Sequence, residues 1–307
     1  MRTSFIETLI EIARADPTVW LLNADLGYSV LEPFAAEFPE RYVNVGVAEQ
    51  NMIGIAAGLA LSGQKVFVYS IANFPTMRCL EQIRVDVCYH QAHVVVVAVG
   101  GGFAYGSQGY THHAIEDLAV MRSLPGLRVV APGDPHETRA LTRYLAATPG
   151  PGYLRLGRAG EPELHAGPFA AAPLAPVTVR DGTDVALITT GGVLVEALGA
   201  ADILAEAGIS ARVVSVPVLK PFDDAALVAA LDGVPCLATI EEHSEIGGLR
   251  DTLAPVLAMR ADGRRFISFA VKDGATRGVI LSQQTMRAHC GIDAASIAAG
   301  VKTTLGR

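Results

Sequence analysis

The chain has 307 residues, half of them hydrophobic and 18% charged, with a net charge of −7. That length favours two domains over one, and an acidic balance without a basic patch argues against nucleic acid as the main partner. No apolar run reaches the roughly 18 residues that would span a bilayer. Cys79, Cys88, Cys236 and Cys290 show neither metal-ligand spacing nor a CxxC pair, the pattern of reduced thiols in a cytoplasmic protein.

The opening MRTSFIETLIEIARADP carries Glu7, Glu11 and Arg14 at helical spacing and predicts an amphipathic helix, not a signal peptide. Apolar, β-branched runs follow at WLLNA (20–24), VFVYSI (66–71), HVVVVAV (93–99), LRVVAP (127–132) and YLRL (153–156). Helix-period stretches lie between them at about 48–62, 75–90, 114–123 and 134–147. Continuous apolar strands joined by helical crossovers predict a parallel sheet covered on both faces. The pattern stops in GEPELHAGPFAAAPLAPVTVRDGT, whose Pro, Ala and Gly content predicts a linker. It resumes with DVALITT, a helix near 193–207, ARVVSVPV, a helix near 223–231, CLATIEE and a helix near 247–259. The expected organisation is therefore α/β throughout, with one domain over 1–160, a linker over 161–183 and a second, smaller domain over 184–307.

Three places could carry chemistry. In YVNVGVAEQN (42–51), Glu49 stands where a strand hands over to a helix. Helix dipoles favour acidic residues in their first turn, which would make Glu49 a simple cap. Its neighbours Gly46, Ala48, Ile53, Gly54 and Ala57 point instead to tight burial with no cation nearby in sequence, and a desolvated carboxylate can hold or share a proton near neutrality. The loop GGGFAYGSQGYTHHAIEDL (100–118) follows the most apolar strand, where open parallel sheets place ligands. Thr111 is the expected N-cap of the next helix, bringing in His112 and His113; a flexible loop with one solvated and one core histidine is the equally weighted alternative. Adjacent histidines cannot readily close on one metal, so no metal site is expected in this chain. Arg78, Arg84, Arg155 and Arg158 form the third group, suited to phosphate or carboxylate if they converge and to solvated surface if they do not.

Together these motifs resemble the transketolase family of thiamine diphosphate enzymes. NADLGYSVLEPFAAEFPERYVNVGVAEQNMIGIAAGLALSGQKVFV is similar to the start of the family's pyrimidine-binding domain. GYTHHAIEDLAVMRSLPGLRVVAPGD, GPGYLRLGR, VVSVPVLKPFD and TIEEHSEIGGLRD continue the likeness in order over essentially the whole chain. It resembles the second half of a full-length transketolase or the C-terminal subunit of a split one, and also the matching region of 1-deoxyxylulose-5-phosphate synthase. The family's GDG motif, with its downstream asparagine, holds the cofactor diphosphate through Mg2+ or Ca2+; no GDG occurs here. The resemblance therefore implies a partner subunit carrying that half, with self-association into a heterotetramer.

The resemblance also implies roles. Glu49 matches the glutamate that hydrogen-bonds N1′ of the aminopyrimidine and favours its imino tautomer. Phe74 matches the aromatic stacked on that ring, Val47 the apolar support of the bent cofactor, Gln50 and Asp25 further cofactor contacts. His112 matches the histidine that meets the donor near its carbonyl. Ser29, Arg78 and Arg158, with Arg155 as the fallback, match substrate or phosphate positions. Two departures concern the substrate. The family's aspartate four residues before the histidine is Gln108, and a histidine twelve residues before it is Gly100. The implied activity is ketol transfer of a two-carbon unit from a ketose to an aldose. A synthase-like carboligation of decarboxylated pyruvate with an aldehyde, or a non-catalytic regulatory paralogue, is the alternative; the β subunit of a 2-oxoacid dehydrogenase fits the TH-x-x-x-E-D-L loop poorly.

Overall fold

The computed structural model describes residues 1–307. After helix α1 (Arg2–Ala15) the chain lays down β1 (Val19–Asn23), α2 (Glu32–Glu37), β2 (Tyr42–Asn44), α3 (Glu49–Leu61) and β3 (Lys65–Ile71). The short helices α4 (Asn73–Met77) and α5 (Leu80–Gln82) run into a π-helical segment, Ile83–Tyr89, before β4 (Val94–Val99). Then come α6 (Asp117–Ser123), β5 (Arg128–Val130), α7 (Pro135–Ala147) and β6 (Gly152–Leu156). The second half contributes β7 (Val177–Arg180), β8 (Val185–Thr190), α8 (Leu194–Glu206), β9 (Ala211–Ser215), β10 (Val218–Lys220), α9 (Asp224–Ala230) and β11 (Cys236–Ser244). It ends with α10 (Leu249–Met259), β12 (Arg265–Val271), α11 (Gln283–His289) and α12 (Ala294–Leu305).

Two mostly parallel sheets result, with strand orders β10-β5-β6-β4-β3-β1-β2 and β12-β11-β8-β9-β7. Both are α/β, as the apolar runs predicted. In the first sheet β1, β3, β4 and β6 are apolar on both faces, because one side packs on α3 and α6 and the other on α1 and α7. Two features escape the simple alternation. Val177–Arg180, inside the stretch read as a linker, pairs antiparallel with β9 as the edge of the second sheet. Val218–Lys220 crosses back and pairs antiparallel with β5, so the second half completes the first half's sheet.

The chain leaves β1 for the outer strand β2, then crosses back over β1 to β3. Segments following β2 and β3 thereby rise on either side of the C-terminal end of β1. That reversal of winding direction is where open α/β sheets form their ligand crevice.

Candidate active site

Glu49 opens α3 directly after the turn at Gly46, which takes a left-handed φ of 71°. Its side chain is 2% exposed, and its carboxylate faces the positive end of the helix dipole. No cation stands near it in sequence, and the fold supplies one: Nη1 of Arg78 lies 2.5 Å from Glu49 Oε2. The two residues are 29 apart in sequence, and only the crossover from β2 to β3 brings them together. Arg78 also places its Cζ 5.0 Å from the centre of the Phe74 ring, and its backbone carbonyl accepts a hydrogen bond from Gln50 Nε2 at 3.0 Å.

Phe74 continues the cluster to His112, with ring centroids 5.4 Å apart and an edge-to-face orientation. Burial lowers the pKa of His112, reinforced by neighbouring His113, so its imidazole is neutral near pH 7. The expected N-cap at Thr111 is not formed. Tyr110–His112 is a 3-10 turn, α6 begins at Asp117, and the Thr111 hydroxyl lies 2.9 Å from His112 Nδ1. His113 is the core member of the pair, its Nε2 3.1 Å from the Gly106 carbonyl.

Asp25 sits at the C-terminal end of β1 with a left-handed φ of 53°, tolerated because Asn44 clamps it. The Asn44 amide donates to Asp25 Oδ1 at 3.0 Å, while its carbonyl oxygen accepts from the Asp25 and Gly46 N–H groups. Ser29 is exposed, also at positive φ, with its backbone N–H on Glu32 Oε1. Val47 is exposed two residues before Glu49, an apolar side chain open to a ligand or a partner.

The fold thus gathers Glu49, Arg78, Phe74, Gln50 and His112 through direct contacts. Gln108 and Arg158 lie on exposed loops after β4 and β6 and touch none of them. Arg155 requires a correction as a substrate-binding candidate. It is a buried structural tie: Nε donates to Asp117 Oδ2 at 2.8 Å, and Nη2 to the carbonyls of Ala114 and Glu242. Strand alternation explains the split, since Arg155 points inward from within β6 whereas Arg158 lies beyond its end.

Gly100 has φ +84°, and a side chain there would run into the Tyr105 ring. A histidine at this position would require the Tyr105 ring to move and would strain the backbone. Two residues were missed altogether. Asn44 was legible as an Asn ending a strand before a turn glycine. Asn73, whose Nδ2 donates to the His113 carbonyl at 2.5 Å and ties the histidine loop to α4, carried no sequence signal.

At the end of β11, Glu242 and His243 join the two halves, while Glu241 and Glu245 bond within the second. Glu242 Oε1 accepts the Phe103 N–H at 2.6 Å, and the Ala119 N–H donates to His243 Nε2 at 3.3 Å. Glu241 accepts the first N–H groups of α10, Leu249 at 2.6 Å and Arg250 at 2.9 Å. No group of acidic, cysteine and histidine side chains in the chain is arranged to hold a metal ion.

Family comparisons agree with this architecture. Residues 1–160 match the transketolase pyrimidine-binding domain, and residues 176–297 match the transketolase C-terminal domain. The chain is 42% identical to one subunit of the apulose-4-phosphate transketolase of Phocaeicola vulgatus, over 81% of this chain and 80% of that one. It is 36% identical to the 1-deoxy-D-xylulose-5-phosphate synthase of Thermomicrobium roseum, over 96% of this chain and 47% of that one. Among solved structures, a split-gene transketolase described as an inactive β4 tetramer superposes with a TM-score of 0.88, 36% identity and coverage of 99% of this chain and 97% of that chain. The chain belongs to the transketolase family, with its pyrimidine-binding and C-terminal domains in that order.

Proposed function

We propose that this chain is the C-terminal subunit of a split transketolase that moves a two-carbon ketol unit from a ketose to an aldose on thiamine diphosphate. The observation that carries the reading is Glu49: a carboxylate 2% exposed, at a helix start and linked through Arg78 to the Phe74 ring, in the crevice over β1. These groups fit the ring end of that cofactor. Glu49 would hold N1′, Phe74 would stack on the ring, and Val47, Gln50 and Asp25 would border it. When bound, thiamine diphosphate supplies the electron sink for carbon–carbon bond cleavage and formation.

The chain's own residues control protons and orientation. Glu49 is almost wholly shielded from water, and there a hydrogen bond from a ring nitrogen would be stronger than in bulk solvent. The neutral imidazole of His112 can accept from or donate to a substrate hydroxyl without bringing a charge. Ser29, Arg78, Gln108 and Arg158 are the residues proposed for substrate hydroxyls and its phosphate; Arg158 is exposed and free of protein ion pairs.

The diphosphate and its Mg2+ or Ca2+ are assigned to an N-terminal partner subunit with the GDG motif, giving a cytoplasmic heterotetramer. The likeness to proteins named as single subunits of a transketolase supports this division. So does α3, which leaves Gly54, Gly58 and Leu61 exposed beside Val85 and Tyr89 of the π-helical segment, an apolar face suited to self-association. The second reading, a carboligase of the deoxyxylulose-phosphate-synthase type, is supported by the 36% identity to such an enzyme.

The test is reconstitution. The purified chain with thiamine diphosphate and Mg2+ is expected to transfer no ketol unit, and to gain activity on adding the partner subunit. Full activity from the chain alone would contradict the split site. Turnover of pyruvate plus an aldehyde, in place of ketoses, would select the second reading.

A further inference from the structure

Arg78 touches both groups assigned above to the cofactor ring. One nitrogen lies 2.5 Å from the Glu49 carboxylate, and its central carbon stands 5.0 Å from the Phe74 ring centre. A guanidinium is flat, carries N–H donors in its plane and stacks on aromatic faces. An aminopyrimidine presents the same combination of in-plane polar edge and flat face. The two partners can therefore serve one or the other, not both at once.

The surroundings favour exchange. Arg78 is the residue hydrogen-bonded to the Glu49 carboxylate, which has no other side-chain or backbone donor. Leaving a buried carboxylate without a partner is unfavourable, so something must satisfy it while the ring is absent. Glu49 is 2% exposed, but the Arg78 side chain is 47% exposed and enters from the rim at the end of α4. Its guanidinium makes no other hydrogen bond or ion pair, so it can swing into water without breaking the fold. Phe74 and His112 are likewise only part-buried, leaving a path on that side.

We propose that Arg78 occupies the pyrimidine position in the cofactor-free chain, and that cofactor binding exchanges the partner of Glu49 from this arginine to the ring. The inference rests on the reading of the crevice as the cofactor site. It carries an order of events. The displaced guanidinium is left at the rim as a free cation, so a phosphorylated or carboxylated substrate meets Arg78 only after the cofactor is in place.

The experiment is calorimetric titration of thiamine diphosphate, with Mg2+, into the chain reconstituted with its partner subunit. A position filled by Arg78 nine-tenths of the time weakens apparent affinity about tenfold. Arg78→Ala and Arg78→Met are therefore both expected to bind the cofactor about tenfold more tightly than wild type, and Glu49→Gln to bind it more weakly. Unchanged or weaker binding by both Arg78 variants, with Glu49→Gln still weakened, would overturn the exchange alone. Equal affinity of Glu49→Gln and wild type would overturn the crevice assignment itself. Arg78→Met retains the apolar stem against Phe74, so loss of binding in Arg78→Ala alone would report packing, and the result for Arg78→Met decides.

Discussion

The molecule pairs buried carboxylates with arginines in two regions, and it builds the pairs differently. At the junction of the halves, Asp117 and Arg155 are 0% and 5% exposed, and Arg155 further bonds two carbonyls while Tyr153 donates to the same Asp117 oxygen. Nearby, Arg287 bridges Glu242 and Glu196. In the crevice, Glu49 has one donor from an arginine that is half in water. The junction is multiply tied, as a permanent joint requires. The crevice pair is held at one point, as an exchangeable partner requires. Burial and the number of bonds, not the pairing of charges, distinguish structure from function.

The sharpest break of this comparison is on the crevice side. With the partner subunit present, Glu49→Ala should lower turnover by a factor on the order of 10² to 10⁴ while leaving the melting temperature near that of wild type, as read by steady-state transfer assays and a thermal scan. The converse holds at the junction. Asp117→Ala, which strands Arg155 in the interior, should destabilise the fold by about 3–5 kcal/mol in denaturant titration.

Acid should find the junction too. Burial, the largest effect on His243, holds its pKa down at about 4, below the ordinary histidine value. Because the folded state binds this proton less readily than the unfolded one, the contribution is complete above about pH 6.5 and is lost as pH falls toward 4. The lost stability amounts to roughly 3 kcal/mol. His243→Gln should flatten that part of the stability–pH curve; an unchanged slope would place the sensitivity elsewhere. The smallest effect is expected for Arg78→Ala in the cofactor-free chain, about 1 kcal/mol or less, because removing the half-exposed guanidinium opens the rim and lets water take its place on the Glu49 carboxylate. A loss as large as that of Asp117→Ala would erase the contrast between the two regions.

Much of this was legible in the residues. Apolar runs such as VVVVAV marked the central strands, and the strand-to-helix handover at Glu49 marked the crevice, because period and burial are local properties. What escaped reading depends on topology. The meeting of Arg78 with Glu49 needs the crossover over β1, and Arg155 and Arg158 share one motif yet part company at the end of β6. Val177–Arg180 joins a sheet through an edge pairing that its Pro- and Ala-rich surroundings conceal. At Thr111 a sound capping residue lost to a tight 3-10 turn, because the loop between β4 and α6 is shaped by the Asn73 contact from α4 and by a bridge between Gly102 and Ala114 across the loop itself.

The central claim is that Glu49 is the proton-holding partner of a cofactor ring whose other end belongs to a second subunit. The most direct measurement is two-carbon transfer by the reconstituted pair, comparing the wild-type chain with Glu49→Gln at saturating thiamine diphosphate, so that weakened binding is compensated. The account predicts that the variant retains on the order of 1% of the activity or less. Activity near that of wild type would contradict it.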